Sequence, residues 1–484
     1  MHTPFFPSLR RRLAALGRRS VKTLRQATLS QFQQQIRDLF PAPLLSSEEE
    51  GANSRERDFP LRLTFECFLW QVLKPRTACR EVVRHVQAER RLQGLAPISE
   101  SDSAYVQARL RLPKQRLEKA LATTAQTADR RVGPRPILQG RPVKVVDGSS
   151  TQMADTADNQ TAYPQPRSQK PGCGFPVMKL LVLFSLCSGA VLKVIFGNLR
   201  QHDLRLLREA WEDLSRGDIL LGDRLYGEYT TLAGLSQRGV DVVARLHHRR
   251  KVDFRKARRL GKNDGLFVWK RGCQQSAILT PQEWGLLPAQ LSVRILRFTA
   301  AIRGMRNRRI TLVTTLLDPT LYPPEELIAL YARRWRLELC LRDLKTTMGM
   351  EELRCKSPAM AEKELLAYLV AHNLVRCLMA EAMATHQVEL DRISFKGTVD
   401  ALRQFTETMG KASSQTMRRQ LWLDLLLNIA RDQLPDRPNR NEPRAVKRRP
   451  KAFPLLNKPR RKFKEIPHRN RCWKAKPRNL KGLN

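Results

Sequence analysis

Three acidic residues stand where a carboxylate could meet a ligand. Asp147 follows the apolar run VKVV, Asp223 ends the run DILLGD, and Glu338 lies inside a long helical segment. An Asp that follows a buried strand lies at the rim of a sheet, where ligands bind in open α/β folds. One such Asp is usually a turn former or a helix cap. Three acids that one small sheet could bring together instead predict catalytic carboxylates that share a metal site.

Four polar residues share one side of the helical segment that follows Pro323. At 100° per residue they fall within about 60° of one another, beside an apolar stripe that would pack on the sheet. They are Tyr331, Arg334, Glu338 and Lys345. A plain amphipathic helix with an i,i+4 ion pair would account for Arg334 and Glu338. It gives no reason for Tyr331 and Lys345 to lie on the same side.

These residue types suit the cleavage of a phosphodiester. The reaction needs an activated water or hydroxyl and a stabilised leaving alkoxide, and two Mg²⁺ ions about 3.5–4 Å apart can supply both. Mg²⁺ takes hard oxygen ligands and keeps several waters, so a few carboxylates suffice. Arg334 and Lys345 beside the acids would hold phosphates, Arg in a bidentate way and Lys as a point charge. Tyr331 could donate to a phosphate or stack on a sugar or base.

The elements that must position these residues alternate between strands and helices. The order β-β-β-α-β-α-β-α, with the first three strands antiparallel and the rest parallel, predicts an α/β protein with a ribonuclease-H-like core. The first strand is expected to end in a turn at the DGSS that contains Asp147, and Asp203 is interpreted as a helix cap. The strands are predicted at Pro142-VKVV, Lys179-LLVLFSL, Ala190-VLKVIFGN, Gly217-DILLG and, after a β-rich insertion, Arg309-ITLVTTL.

Charge and cysteine content restrict the partners and the compartment. The 484-residue chain has 88 Lys and Arg against 46 Asp and Glu, a formal charge of +42. With a hydrophobic fraction of 42%, this is a folded protein that seeks a polyanion, with nucleic acid as the first candidate. The longest apolar run, 180–192, is too short to span a bilayer, so no membrane partner is expected. Nine Cys without a CxxC pair fit a reducing cytosol and argue against a disulfide scaffold.

Composition and patterning divide the chain into seven segments. In the second, helical segment, two amphipathic stretches predict either a DNA-binding unit, with Arg109 and Arg111 on its second helix, or a plain bundle with a basic face. The last segment is too rich in Pro, Lys and Arg to bury an apolar core, which favours a phosphate-binding tail. The segments are a basic arm and linker (1–58), a helical domain (59–135), the first part of the core (136–238), a β-rich insertion (239–308), the second part of the core (309–395), C-terminal helices (396–434) and a basic disordered tail (435–484).

The spacing of the four polar helix residues, within YARRWRLELCLRDLK, resembles the Tyr-Arg-Glu-Lys signature of the insertion-sequence-four family of DDE transposases. The DGSS at Asp147 and the GDRLYG at Asp223 resemble the two Asp boxes of that family. The resemblance implies a cut-and-paste DNA transposase in which Asp147, Asp223 and Glu338 bind two Mg²⁺ ions, with Mn²⁺ as a substitute. Water would cleave the element end, in some relatives by way of a hairpin, and the freed 3′-hydroxyl would attack target DNA.

The resemblance also implies partners and further contacts. The partners would be double-stranded DNA, as terminal inverted repeats and as target, and a second copy of the chain on paired ends, in a bacterial cytoplasm at the nucleoid. Tyr331, Arg334 and Lys345 would contact phosphates near the cut. A basic window of the insertion that begins at Arg245 is interpreted as a DNA-contacting surface. Trp269 in the insertion is a candidate for stacking on a flipped base, and a structural Trp in a β core is the alternative.

Two other functions fit the same residues. A nuclease or resolvase on the same fold would cleave DNA without joining it to a target. A non-catalytic DNA-packaging or RNA-binding protein would carry the three acids only incidentally. Convergence of the acids separates the two enzymes from the binding protein, and strand transfer separates the two enzymes from each other.

Overall fold

The computed structural model describes residues 57–74, 77–92, 94–134, 138–300, 308–412, 414–435, 457–459 and 462–463. The chain divides into two compact units, and each is described by itself. Within the described residues, one unit lies in 57–133 together with 366–435, and the other lies in 134–365 together with 457–459 and 462–463. The predicted basic arm and basic tail lie almost entirely outside the described residues.

The described residues form thirteen α-helices and nine strands, with one π-helical turn at Asp343–Thr347. The α-helices are α1 (Leu61–Leu73), α2 (Cys79–Leu92), α3 (Ser103–Arg111), α4 (Lys114–Val132), α5 (Ala157–Ala162), α6 (Asp203–Glu209), α7 (Tyr229–Gln237), α8 (Pro281–Leu286), α9 (Pro324–Arg333), α10 (Trp335–Arg342), α11 (Pro358–His386), α12 (Phe395–Lys411) and α13 (Gln415–Arg431). The strands are β1 (Val143–Gln152), β2 (Val177–Ser185), β3 (Val191–Asn198), β4 (Ile219–Gly222), β5 (Asp241–Arg245), β6 (Arg258–Gly261), β7 (Asp264–Lys270), β8 (Gln290–Ala300) and β9 (Arg308–Thr314).

These strands form one sheet in the order β3-β2-β1-β4-β5-β9-β8-β7-β6. Strand β2 is antiparallel to both β1 and β3, and β4 and β5 run parallel to β1. From β5 outward, each of β9, β8, β7 and β6 is antiparallel to its neighbour. A large sheet with helices confirms the mixed α/β class predicted from the sequence.

Two strand assignments made from the sequence are wrong. The strand that contains Arg309 is β9, and it runs antiparallel to β5 rather than parallel to the core strands. Residues 241–245, predicted to lie in the insertion, form β5, the parallel neighbour of β4. The connections account for two of these pairings. Parallel neighbours need a crossover, which α7 supplies between β4 and β5, whereas β8 and β9 are joined by a link too short for a crossover and are antiparallel.

The turn predicted at DGSS is also wrong, because β1 continues through it. Strand β1 stays paired with β2 from Lys144 to Gln152, so Asp147 lies within the strand. Its pairing with β4 stops earlier, at Val145. Past that point β1 has a strand neighbour on one side only, and an edge opens beside Asp147.

The sheet is buried on both faces in its central strands. Val146 and Leu220 lie in a cluster that includes apolar residues of α6 and α7. The alternate residues Val145 and Leu221 are also buried, and by the pleat they point to the opposite face. Contacts of α9 with β5 and of α10 with β1 place these two helices beside the central strands. Burial on both faces accounts for apolar runs without polar alternation.

The helix predicted from Pro323 to Met350 is not continuous. It is interrupted at Arg334, where the backbone N–H groups of Arg334 and Leu337 donate to carbonyls only three residues earlier, at 3.1 and 3.0 Å. The π turn after α10 is closed by the N–H of Met348, which donates to the carbonyl of Asp343 at 3.0 Å. The angular positions derived from a regular helix therefore do not extend to Lys345.

In the helical unit, the two amphipathic stretches predicted before residue 112 form α2 and α3. Arg109 on α3 packs inward: its guanidinium carbon lies 5.1 Å from the ring centre of Phe68 and 5.3 Å from that of Tyr105. Its Nη1 also donates to Oε1 of Gln71 at 3.3 Å. Arg111 is exposed. Of the two arginines proposed for DNA contact, Arg109 therefore has a structural use within this unit.

Candidate active site

Strand register aligns Asp147, Asp223 and Arg245 at one edge of the sheet. In β1, β4 and β5, the residues two positions before these three are paired with one another. Side chains two residues apart on a strand share a face, and neighbouring strands lie about 4.8 Å apart. The side chains of Asp147, Asp223 and Arg245 therefore lie just beyond the paired residues of the three parallel strands, on the face of the sheet opposite α6 and α7.

The pKa of Asp147 shows that the acids act on one another. The pKa of Asp147 is raised to about 6, chiefly by burial and to a smaller extent by the charges of Asp223 and Glu338. The guanidinium of Arg334 and the backbone N–H of Gly148 oppose this rise. The pairing of β1 with β4 and the contacts of α10 with β1 bring the elements that carry these acids together.

Arg334 connects the helix to the strand carboxylates. Its Nη2 lies 3.0 Å from Oε1 of Glu338, so the i,i+4 ion pair expected for an amphipathic helix is present. The guanidinium does more than pair within the helix. Burial lowers its pKa, but Tyr331, Asp147 and Glu338 together outweigh burial and raise the pKa of Arg334. The side chain therefore lies between the helix and the carboxylate of β1.

Tyr331 occupies the same edge of the sheet. Burial raises its pKa, Asp223 adds to the rise, and Arg334 and Arg245 oppose it. Arg245, interpreted from the sequence as part of a basic DNA-contacting window, is thus also a neighbour of the acids. Arg245 is the last residue of β5, the strand whose residues were assigned to the insertion from the sequence.

Lys345 reaches the site from the π turn. Burial lowers the pKa of Lys345, while the charges of Glu351 and Asp147 raise it. The chain after the π turn is fixed to the end of β1, because the buried hydroxyl of Thr151 donates to the carbonyl of Met350 at 2.7 Å. This attachment holds the segment that follows Lys345 against β1, the strand that carries Asp147.

Two comparisons with known proteins find similar sequences. Residues 138–374 match the family described as "Transposase DDE domain". Over 416 residues the chain is 27% identical to a protein of Escherichia coli (strain K12), "Transposase InsG for insertion sequence element IS4", and the match covers 85% of this chain and 90% of that protein.

The chain belongs to the DDE transposases of the insertion-sequence-four family. It is therefore an insertion-sequence transposase, an enzyme of DNA transposition. Among solved structures, the "Cryo-EM structure of piggyBac transposase synaptic complex with hairpin DNA (SNHP)" is similar over 77% of this chain and 76% of that one, with 9% identity and a TM-score of 0.40.

The donor chemistry of the transposase suits the divalent metals that DDE transposases generally use. Within the described ranges, no group of three or more His, Cys, Asp or Glu side chains is close enough to hold one ion. Glu338 is turned toward Arg334 and would have to leave it to join the two Asp carboxylates. Mg²⁺ is commonly held by one or two carboxylates together with waters, and Asp147 and Asp223 are the carboxylates that could hold a first ion in this way.

Trp269 of the transposase lies apart from this edge. It is 8% exposed and belongs to the core cluster that includes residues of α7 and β8. The guanidinium carbon of Arg250 lies 3.9 Å from its ring centre. Stacking on a base would require Arg250 to move away, whereas the alternative of a structural Trp requires no change.

Two further residues near Asp147 were not predicted from the sequence. Tyr226 is buried, and burial together with the charges of Asp203, Asp147 and Asp223 raises its pKa. The interpretation of Asp203 as a helix cap is wrong, because the side chain of His202 caps α6 and Asp203 is its first residue. No pattern in the sequence indicated that Asp203 lies beside Gly148.

One helix of the transposase, α11, is long and apolar enough by length and composition to cross a membrane. In its most apolar window, 89% of the residues are buried inside the protein. Burial of this kind is what a core helix of a water-soluble protein shows, so the helix is weak evidence for a membrane span.

Proposed function

We propose that this transposase moves its element by a cut-and-paste route, with Mg²⁺-dependent hydrolysis at the element ends followed by strand transfer into target DNA. The observation that supports the proposal is the strand register that brings Asp147 and Asp223 to one end of the paired strands β1 and β4, with α10, which carries Glu338, in contact with β1. Acids that repel one another across β1, β4 and α10 cost stability unless a cation binds them. A site for divalent metal is the simplest function that repays this cost.

Asp147, Asp223 and Glu338 would hold two Mg²⁺ ions, with Mn²⁺ as a substitute. When bound, the metals would supply an activated water or hydroxyl and a stabilised leaving oxygen. Glu338 would exchange its pairing with Arg334 for this role. That exchange would free the guanidinium for a phosphate of the DNA.

The basic residues of the site would bind the DNA backbone. Arg334 offers two parallel N–H donors to a phosphate, and Lys345 offers a point charge from the other end of the helical segment. Arg245, beside Asp223 in the register, would extend this contact along the edge. Tyr331 would donate its hydroxyl to a phosphate or pack against a sugar.

The strand order β3-β2-β1-β4-β5 supports a ribonuclease-H-like core, in which β9 to β6 form an insertion-derived extension of the sheet. We further propose the seven-segment layout predicted from the sequence, with residues 241–245 moved from the insertion into the core. We also propose a homodimer that binds double-stranded DNA at paired element ends, and action in the bacterial cytoplasm at the nucleoid. The net charge of +42 supports a DNA partner of this kind.

The test is a cleavage and joining assay on a duplex that carries the inverted repeat flanking the gene, with a supercoiled target and Mg²⁺. We expect the wild-type chain to nick the repeat end and join it to the target, and Glu338→Gln to do neither. Glu325→Gln, an exposed Glu on the neighbouring helix α9, is the matched control and should behave as wild type. Cleavage without joined product would replace the proposal with the nuclease, and binding without any cleavage would replace it with the non-catalytic protein.

A further inference from the structure

Behind Asp147, on the other face of β1, lies a second carboxylate that the proposed chemistry does not use. A Cβ atom added to Gly148 would lie 3.6 Å from Oδ1 of Asp203 and 3.7 Å from Oδ2. Both oxygens are equally close, so the carboxylate of Asp203 faces the backbone of Gly148. Adjacent residues of a strand point to opposite faces, so Asp203 and Asp147 lie on opposite sides of the same stretch of β1.

Lys179 holds Asp203 in this position. Its Nζ lies 2.6 Å from Oδ1 of Asp203 and donates to the carbonyl of Gln201 at 2.7 Å. Lys179 belongs to β2, where it pairs with Ser150 of β1. The ion pair therefore joins the first residue of α6 to the one strand that still supports β1 at this point.

The surroundings distinguish this pair from an ordinary ion pair. The parallel pairing of β1 with β4 has ended two residues before Asp147, so the backbone there is supported by β2 and by whatever packs on its faces. A Cβ atom at Gly148 would be in ordinary van der Waals contact with the Asp203 carboxylate, so this carboxylate is the nearest neighbour of Gly148 on that face of β1. Tyr226, whose pKa is raised by burial and by Asp203, Asp147 and Asp223, lies within the influence of all three carboxylates.

We propose that Asp203, held by Lys179, is a positioning residue that braces the backbone at Gly148 and so fixes the Asp147 carboxylate for metal binding. The inference rests on the proposed function, because it concerns the same metal site. Groups that orient a metal ligand without touching the ion typically change metal affinity by 10–100-fold when mutated. Asp203 acts through the backbone here, so we expect the lower end of that range.

The chain offers a matched control at the opposite end of the same strands. Lys144 of β1 lies 2.6 Å from Oδ2 of Asp218, which precedes β4. The side chains of this pair are 16% and 5% exposed, against 18% and 27% for Lys179 and Asp203. Loss of either pair removes one buried or half-buried ion pair, but only the Asp203 pair lies behind Asp147.

The experiment is a Mn²⁺ titration of the full-length protein without DNA, in which the electron paramagnetic resonance signal reports free Mn²⁺. We expect Asp203→Asn and Lys179→Met each to weaken Mn²⁺ binding about tenfold, and the double variant to weaken it no further, because the two residues act as one unit. Asp218→Asn should bind Mn²⁺ as the wild type does. Lys179→Met keeps the aliphatic stem in β2, so it decides the question if Asp203→Asn fails to fold.

The remaining outcomes separate the two proposals. Asp147→Asn in the same titration tests the metal site itself, and should abolish binding. Wild-type affinity in both Asp203→Asn and Lys179→Met, or an equal loss in Asp218→Asn, would overturn the positioning role while the metal site stands. A wild-type chain that binds no Mn²⁺, or binding that survives in Asp147→Asn, would overturn the proposed metal site and this inference with it.

Discussion

The central parallel strands carry Asp residues at both ends, but the Asp side chains have different partners at each end. At the end where β1, β4 and β5 begin, Asp218 pairs with Lys144 at 2.6 Å and Asp241 pairs with Arg141 at 2.7 Å. At the opposite end, Asp147 and Asp223 accept hydrogen bonds from the backbone N–H groups of Gly148 and Leu225.

Across the described residues, no ion pair joins Lys, Arg or His to the carboxylate of Asp147 or Asp223. An Asp at a strand end therefore does not by itself indicate a functional site. Whether its charge is already matched decides between a structural use and a site for a cation. Substitutions at the two ends should therefore differ most in their effect on DNA cleavage, and less in their effect on the free energy of unfolding.

Removal of one carboxylate charge should greatly reduce cleavage at one end of the strands and leave it almost unchanged at the other. We expect Asp147→Asn to reduce DNA cleavage by about a thousandfold or more, because several kcal/mol of transition-state stabilisation is lost with a metal ligand. DNA affinity should persist, since the basic surface supplies it. Asp218→Asn should cleave within about threefold of wild type. The measurement is the single-turnover rate of nicking, and equal losses in the two variants would remove the functional distinction between the ends.

The paired end should dominate stability. Lys144→Met leaves Asp218, which is 4% exposed, without its cation, and we expect the free energy of unfolding to fall by about 3 kcal/mol. The double variant Lys144→Met with Asp218→Asn should recover part of this loss, because the buried charge is then gone. Urea unfolding measures both. A loss below about 0.5 kcal/mol in Lys144→Met would mean that the pair is solvated and that the two ends are alike.

The sequence predicted the positions of the acids better than the elements that bring them together. Asp147 and Asp223 follow short apolar runs, and such runs identify buried strands by composition alone. The register that aligns Arg245 with Asp223 depends on which strand pairs with β4, a long-range choice that apolar pattern does not encode. Arg245 was consequently predicted as a surface residue of the insertion, and its neighbourhood with the acids was not predicted.

The helix shows a second limit of sequence reasoning. A period of 3.6 residues predicts that Arg334 and Glu338 lie together, and they do. It cannot predict the π turn at Asp343–Thr347, which depends on tertiary contacts such as the hydrogen bond from Thr151 to Met350. Asp203 was likewise interpreted from local chain position as a cap, although its carboxylate faces a glycine of a distant strand. Contacts of this kind become visible only when the sheet is assembled.

The burial of Asp147 should appear as a pH dependence of stability in the metal-free protein. Its pKa is about 6 in the folded chain against about 3.9 in an unfolded one, so the folded state binds more protons between these values. Stability should therefore fall as pH rises from about 4 to about 6. Since Asp147 is half-buried, we expect a contribution of about 2 kcal/mol. Unfolding in EDTA across this range should show Asp147→Asn gaining that amount relative to wild type by pH 7.

A suitable control for this measurement is the exposed Asp102 in the helical unit. Asp102→Asn should keep a constant difference from wild type across the same pH range. If Asp147→Asn also ran parallel to wild type, the carboxylate would have an ordinary environment. The contrast between the two ends of the strands would then rest on ion pairing alone.

The smallest effect is expected at Asp241, where the paired end is most open to water. Oδ1 of Asp241 accepts a hydrogen bond from the hydroxyl of Thr315 at 2.6 Å, and its ion pair with Arg141 has side chains that are 25% and 20% exposed. Asp241→Asn keeps an acceptor for Thr315 and loses only a partly solvated charge interaction. We expect a loss of about 1 kcal/mol in the free energy of unfolding, with unchanged nicking. A loss above about 3 kcal/mol would show that this pair is as shielded from water as Lys144 and Asp218.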